Sequence, residues 1–202
     1  MMLLFLKIIF WLPLQILLPT IFINRKHLKQ TGSCIYAANH QSWLDSVILA
    51  LNLKLSVYFM AKKEIFKNKL TGAFLKSLHA FPVDRRNLDM KSIRTVKKLF
   101  DNKKSLALYP QGTRKKMADD FAGMKNGAVF FAIKFKQPII PMFFVKKPGF
   151  FRINKVIVGE AITFEEYYEL KPTKEVLNKA SEKLTEAFNK LKAVNNENKK
   201  HS

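Results

Sequence analysis

The sequence predicts an α/β fold: a single layered domain with a largely parallel, mixed β-sheet flanked by helices, preceded by a short apolar helical segment. Three observations lead to this prediction. Short apolar runs alternate with amphipathic segments, as they do when helices connect parallel strands. Hydrophobic residues make up 48% of the 202 residues, enough for a core. The sequence contains no internal repeat and no Gly/Ser-rich linker, so we predict no second domain.

Residues 1–23 are almost entirely apolar, with Lys7 as the only charge. Their length is close to what a helix needs to cross a bilayer core of about 30 Å. However, Pro13 and Pro19 each remove a helix hydrogen bond. We therefore expect two short helical pieces that enter one leaflet, and a tilted spanning helix is the second alternative. Basic residues would then meet the lipid headgroups: Arg25, Lys26 and Lys29.

The remaining elements follow from hydrophobic periodicity. Apolar runs bounded by turn residues predict strands at 34–38, 57–61, 81–83, 105–109, 139–145 and 156–159. Apolar residues three or four positions apart predict helices at 42–53, 69–78, 89–100, 126–135 and 175–194. The predicted organisation is therefore a membrane-associated segment over 1–24, a domain over 25–194 and a polar tail over 195–202.

The chain is strongly basic: 36 Lys and Arg face 15 Asp and Glu, a net charge of +21. Such an excess predicts an anionic partner, which can be nucleic acid, an acidic protein or a phospholipid surface. Charge is the only support for nucleic acid, and it leaves the apolar residues 1–23 unexplained. We therefore favour an anionic membrane surface and expect no nucleic-acid partner. The single Cys34 excludes an internal disulfide and is expected in the core.

Chemistry-bearing residues follow the first strand predicted above, in the segment Asn39-His40-Gln41-Ser42-Trp43-Leu44-Asp45. If His40 lies in a turn and Asp45 in the first turn of the next helix, the carboxylate can fold back onto the imidazole. That arrangement gives a general base with its orienting acid. A structural alternative remains, because Ser42 and Asp45 also match a capping box. Spacing alone leaves both readings open.

Two cationic turns follow two other predicted strands. Asp84-Arg85-Arg86 follows 81–83, and Pro110-Gln111-Gly112-Thr113-Arg114 follows 105–109. Backbone N–H groups, a hydroxyl and a guanidinium at a tight turn suit a phosphate, although solvated basic loops are the alternative. Because the carboxyl ends of parallel strands meet in one crevice, we expect both turns to lie near His40.

Four blocks in this order resemble those of glycerolipid acyltransferases, in particular the bacterial 1-acyl-glycerol-3-phosphate (lysophosphatidic acid) acyltransferases. The blocks are Asn39-His40-x4-Asp45, Phe81-Pro82-Val83-Asp84-Arg85, Tyr109-Pro110-Gln111-Gly112-Thr113-Arg114 and Ile140-Pro141. The resemblance implies transfer of a fatty acyl group from acyl-CoA or acyl-ACP to the free hydroxyl of 1-acyl-glycerol-3-phosphate. The product would be phosphatidic acid, in phospholipid biosynthesis. The same chemistry on another lysolipid is the alternative.

The resemblance also implies residue roles. His40 would be the general base and Asp45 its partner, and the phosphate would bind the set Arg85, Gly112, Thr113 and Arg114. Supporting roles are expected for Asn39, Ser42, Arg86, Gln111 and Pro141. The family usually carries Glu where this chain has Gln111; Gln keeps the hydrogen-bonding reach and loses the charge.

No metal or redox cofactor is implied, because the four histidines are scattered and lack ligand spacing. The expected partners are a lysophospholipid, an acyl thioester and an anionic membrane surface, with an acyl carrier protein as a further candidate. The expected location is the cytoplasmic face of the inner (cell) membrane. A non-enzymatic basic protein that binds lipid or nucleic acid is the most distant alternative.

Overall fold

A computed structural model describes residues 13–29, 32–53, 56–84, 89–114, 121 and 124–200. Within these residues, seven strands form one sheet. Their bounds are β1 Thr20–Ile23, β2 Ile35–Ala38, β3 Val57–Lys62, β4 Ala80–Val83, β5 Ser105–Leu108, β6 Ile139–Phe144 and β7 Asn154–Val158. The order across the sheet is β1-β7-β6-β2-β5-β3-β4.

Helices cover both faces of the sheet. Their bounds are α1 Trp43–Asn52, α2 Lys69–Ser77, α3 Met90–Asp101, α4 Gly127–Lys134 and α5 Lys174–Lys200, with short 3₁₀ turns at Arg25–Leu28, Lys63–Lys67 and Glu165–Tyr167. Side chains of β2 alternate between two cores, as a strand's pleat requires. Ile35 and Ala37 pack in the core with α3, α4 and α5. Tyr36 and Ala38 pack in the core with α1.

The strand directions define a functional edge of the sheet. β2 pairs in parallel with β5 and β6, and β3 pairs in parallel with β4 and β5. β6 and β7 are antiparallel, and β1 runs parallel to β7, so β1 is reversed relative to the central strands. The predicted fold class, a layered α/β domain with a largely parallel mixed sheet, is confirmed. We call the edge at which β2, β4, β5 and β6 end the carboxyl edge.

The N-terminal helical prediction is wrong at residues 20–23, which form β1. Thr20 is in register with Asn154, and Ile23 with Ile157. Helical structure is present at residues 13–17, and residues 1–12 lie outside the described part of the chain. Among the described residues, no helix combines the length and the apolar character needed to cross a bilayer. β-branched and aromatic side chains favour a strand here once β7 supplies hydrogen bonds.

The structure adds one observation at each end of the chain. Because β1 is reversed, Arg25, Lys26 and Lys29 follow it at the edge opposite the carboxyl edge, and their contact with lipid headgroups stays a prediction. The predicted polar tail over 195–202 is helical as far as Lys200. An established helix gains one hydrogen bond for each added residue, and Lys and Glu favour helix.

Candidate active site

The turn that carries His40 is fixed to the end of β6. The Asn39 side-chain amide donates to the carbonyl oxygen of Phe144 at 3.1 Å, and the Phe144 N–H donates to Asn39 Oδ1 at 2.7 Å. Gln41 Nε2 donates to the same carbonyl oxygen at 3.0 Å. These bonds anchor the residues on both sides of His40, so the sheet itself sets the position of the imidazole.

His40 and Asp45 are in contact, as the sequence predicts. The distance from His40 Nδ1 to Asp45 Oδ2 is 2.8 Å. The same oxygen accepts the backbone N–H groups of Gln41 at 2.7 Å and Ser42 at 2.8 Å. An ionised carboxylate only accepts hydrogen bonds, so Nδ1 carries the proton, and in the neutral ring Nε2 is then the basic nitrogen.

Asp45 is held in a buried, asymmetric environment. Its side chain is completely buried. While Oδ2 accepts three hydrogen bonds, Oδ1 has no partner among the described residues. The carboxylate is therefore directed at the His40 turn through a single oxygen.

The capping box at the start of α1 is also present. Ser42 Oγ accepts the N–H of Leu44 at 3.3 Å, and Asp45 accepts the N–H of Ser42. The capping role of Ser42 and Asp45 and the role of Asp45 as partner of His40 are therefore both present in one geometry. The cap holds the carboxylate where it meets the imidazole.

Two residues that follow β5 also contact His40. The Tyr109 ring stacks on the imidazole, with 3.9 Å between centroids and 17° between planes. The Tyr109 hydroxyl shares a hydrogen bond of 2.8 Å with Ser46 Oγ. Gln111 Oε1 accepts the backbone N–H of His40 at 2.7 Å. The pattern of the sequence predicts no role for Tyr109, although an aromatic residue directly after a strand is a signal that can indicate one.

A cavity of about 320 Å³ adjoins His40. Side chains from α1, β3 and α2 make most of its wall apolar, including Val47, Phe59 and Leu75. Thr113 and Arg114 line the same cavity. An apolar chamber that also contains a base and a cation suits a ligand with a hydrocarbon chain and an anionic group.

The glycine turn after β5 lines a second cavity. Gly112 has φ of 70°, a left-handed conformation that glycine adopts without strain. Its N–H donates to the Tyr109 carbonyl oxygen at 2.9 Å, so the predicted tight turn is confirmed. The second cavity, about 280 Å³, is lined in part by Gly112, Asp84 and Lys125.

The other predicted site residues fall into two groups. Arg85 and Arg86 lie outside the described residues, so their phosphate roles stay predictions. Pro141 lies buried within β6, in register with Ala37, and it lines neither of the two cavities described above. Within the described chain, no group of three or more His, Cys, Asp or Glu side chains is placed to hold a metal ion.

Residues 20–145 match the model of the Acyltransferase family. The chain is 33% identical over 174 residues to the 1-acyl-sn-glycerol-3-phosphate acyltransferase of Bacillus subtilis, covering 83% of this chain and 85% of that protein. It is 34% identical over 115 residues to the Streptococcus pneumoniae protein of the same name, covering 56% of this chain and 42% of that one.

A third relative of that name, from Helicobacter pylori, is 31% identical over 137 residues, which cover 66% of this chain and 57% of that protein. The fold is similar to the crystal structure of the 1-acyl-sn-glycerophosphate (LPA) acyltransferase from Thermotoga maritima. The TM-score is 0.61 and the identity 17%, covering 87% of this chain and 71% of that chain. Since the family model spans more than half of the sequence and the Bacillus subtilis relative matches most of it, this chain belongs to the acyltransferase family.

Proposed function

We propose that this enzyme transfers a fatty acyl group from an acyl thioester to the free hydroxyl of 1-acyl-glycerol-3-phosphate, forming phosphatidic acid. The observation that carries the proposal is the cavity that places the His40–Asp45 pair beside Arg114 and an apolar wall. The names of the relatives support the choice of acceptor. The assay that tests it measures thiol release from acyl-CoA by the purified full chain, with a panel of lysolipids. No turnover with any acceptor would contradict the proposal.

In the proposed reaction, His40 Nε2 takes the proton of the acceptor hydroxyl as that oxygen attacks the thioester carbonyl carbon. The Asp45 carboxylate stabilises the resulting imidazolium across the 2.8 Å contact. The tetrahedral intermediate then collapses, the C–S bond breaks, and His40 returns the proton to the thiolate. Transfer is direct, because Ser42, the hydroxyl nearest in sequence, is engaged as a helix cap.

The phosphate of the acceptor is assigned to Thr113 and Arg114, together with Arg85 or Arg86. Arg114→Ala is expected to raise the KM for 1-acyl-glycerol-3-phosphate by about 10- to 100-fold, because a charge-assisted, bidentate contact is lost. The KM for acyl-CoA should change little. Steady-state kinetics with each substrate varied separately measures this split. Arg114→Lys, which keeps the charge, should fall between; equal KM values for the acceptor in all three proteins would remove Arg114 from the phosphate site.

Gln111 is proposed to position His40 through its backbone. Only an acceptor oxygen is needed for that bond, so Gln111→Glu is expected to retain acyl transfer within about tenfold of the unmodified enzyme. Gln111→Leu leaves the buried N–H of His40 unpaired, which costs about 1–3 kcal/mol. We expect it to lower kcat and the free energy of unfolding together, measured by thiol release and urea titration. Full activity in Gln111→Leu would contradict this role.

We further propose that the enzyme works at the cytoplasmic face of the cell membrane, with acyl-CoA or acyl-ACP as donor. The apolar residues 1–23 and the net charge of +21 support this location. The same positive charge would favour an acidic carrier protein. A comparison of acyl-CoA with acyl-ACP in the thiol-release assay distinguishes the donors.

A further inference from the structure

Large apolar side chains are exposed in two groups that include lining residues of the His40 cavity. The first group comprises Trp43, Phe150, Phe151 and Ile153, of which Phe151 is 77% exposed. The second group comprises Ile65, Leu70 and Phe74, of which Leu70 is 83% exposed. Single exposed apolar residues are ordinary, but grouped ones mark a contact surface. We call these seven side chains the apolar rim.

The fold brings members of both groups to the same cavity. Trp43 is the first residue of α1, and its ring centroid lies 6.4 Å from that of Phe150. Phe150 belongs to the loop that leaves β6 at the carboxyl edge, where the His40 turn leaves β2. Trp43 from the first group, and Ile65 and Phe74 from the second, line the cavity that adjoins His40. The apolar rim therefore reaches the cavity through Trp43, Ile65 and Phe74.

In the loop between β6 and β7, the exposed Phe151 has a strained backbone conformation. Phe151 has φ of 55°, which is rare for a bulky side chain. Its N–H donates to the carbonyl oxygen of Leu17 at 2.7 Å. The loop is thus tied to the chain that enters β1, directly after the apolar N-terminal residues.

Basic residues accompany both groups. Residues 145–153 contain Lys146, Lys147 and Arg152 and no acidic residue, and residues 62–76 contain five lysines and one glutamate. Lys146, Lys147 and Arg152 are exposed. An apolar surface bordered by cations complements an anionic phospholipid bilayer. A second copy of this chain would bring like charges together, so the charge pattern disfavours it as the occupant.

We propose that the apolar rim is the surface by which this enzyme rests on an anionic phospholipid bilayer, with the His40 cavity opening into the lipid. The benefit of this arrangement rests on the proposed function, because a lysolipid would enter the cavity, and phosphatidic acid would leave it, without crossing water. The lipid contact itself does not depend on that function, and it can be measured without substrate.

Trp43 provides a native reporter, because the chain has two tryptophans and Trp11→Phe leaves Trp43 alone. With vesicles of 30% phosphatidylglycerol in phosphatidylcholine, we expect the Trp43 emission to shift to shorter wavelength. Lipids brominated on their acyl chains should quench it. Vesicle-bound protein whose Trp43 stays open to an aqueous quencher would overturn the proposal. A shift that depends on protein concentration without vesicles would identify a second copy as the occupant, and would also overturn it.

The variant Phe151→Asn/Ile153→Ser tests the surface by partition in vesicle sedimentation. Asn tolerates positive φ, so the loop conformation is kept. Loss of two large apolar contacts should weaken partition by about tenfold or more. The matched control is Leu170→Ser, which should not change partition. Leu170 is exposed and follows Glu169, which pairs with Lys136 just before β6 begins, at the opposite edge. Equal partition of the double variant and the control would overturn the proposal.

An activity assay tests the lipid-contact role of the apolar rim separately from the proposed acyl transfer. With a short-chain, water-soluble acceptor, the double variant should release thiol at the rate of the unmodified enzyme and lose rate only with acceptor presented in vesicles. No turnover in any protein would contradict the proposed function and leave the vesicle results standing. An equal rate loss with soluble and vesicle acceptor would contradict the lipid-contact role.

Discussion

Replacement of His40 by alanine is expected to lower kcat for acyl transfer by about 10²- to 10⁴-fold, the usual contribution of a positioned general base. His40 is the only imidazole among the residues that line the described cavity. The guanidinium of Arg114, which also lines it, cannot act as a base. The backbone bond to Gln111 is retained, so the turn should keep its conformation. Thiol release from acyl-CoA measures the rate, and urea titration verifies folding.

A second histidine gives the matched control for this experiment. His79 also stacks on a tyrosine, with 4.7 Å between its ring centroid and that of Tyr58, but it does not line the His40 cavity. It has φ of 57°, so His79→Asn keeps a residue type that accepts this conformation. We expect its rate within about threefold of the unmodified enzyme. A folded His40→Ala protein with a comparable rate would exclude His40 as the base.

Asp45→Asn is expected to slow acyl transfer by about 10²- to 10⁴-fold, because a neutral amide neither stabilises the imidazolium nor ensures the correct tautomer. The amide oxygen can still accept the N–H groups of Gln41 and Ser42. Its NH₂ group would then occupy the position of Oδ1, which has no partner among the described residues. An unpaired buried donor costs about 1–3 kcal/mol, so urea titration should show a moderate loss of stability.

Ser42→Ala distinguishes the chemical role of Asp45 from its role in the cap. This change removes the acceptor for Leu44 N–H and should cost about 1 kcal/mol of stability. It leaves the His40–Asp45 contact in place, so we expect the rate to fall by less than about tenfold. If the two variants lost rate equally while folded, Asp45 would serve the helix cap alone.

The elements of the central sheet could be predicted because each apolar run is short and ends in a turn. β2 is followed by Asn39-His40, and β5 by Tyr109-Pro110, which stop the strand pattern. β1 could not be predicted in this way, because Thr20–Ile23 continues an apolar run without alternation. Its partner, β7, is distant in sequence, and only that pairing distinguishes a strand from a helix here.

In the candidate active site, too, contacts between residues close in sequence could be predicted and contacts between distant residues could not. The His40–Asp45 contact spans five residues, so the geometry of a turn and a helix start was enough to predict it. The bonds from Asn39 to Phe144 and from Gln111 to His40 span 105 and 71 residues. They depend on β6 and β5 being the neighbours of β2, which hydrophobic periodicity does not determine. The stacking of Tyr109 on His40 follows from the same strand order.

The pairing of β1 with β7 also constrains the order in which the domain folds. Asn154 Nδ2 donates to the carbonyl oxygen of Pro19, 135 residues earlier, and the β1 ladder forms with the same distant strand. During synthesis, β1 therefore stays unpaired until β7 has left the ribosome, and contacts of such high sequence separation form late. If the apolar residues ahead of β1 bind the bilayer as proposed above, that contact forms before the sheet closes.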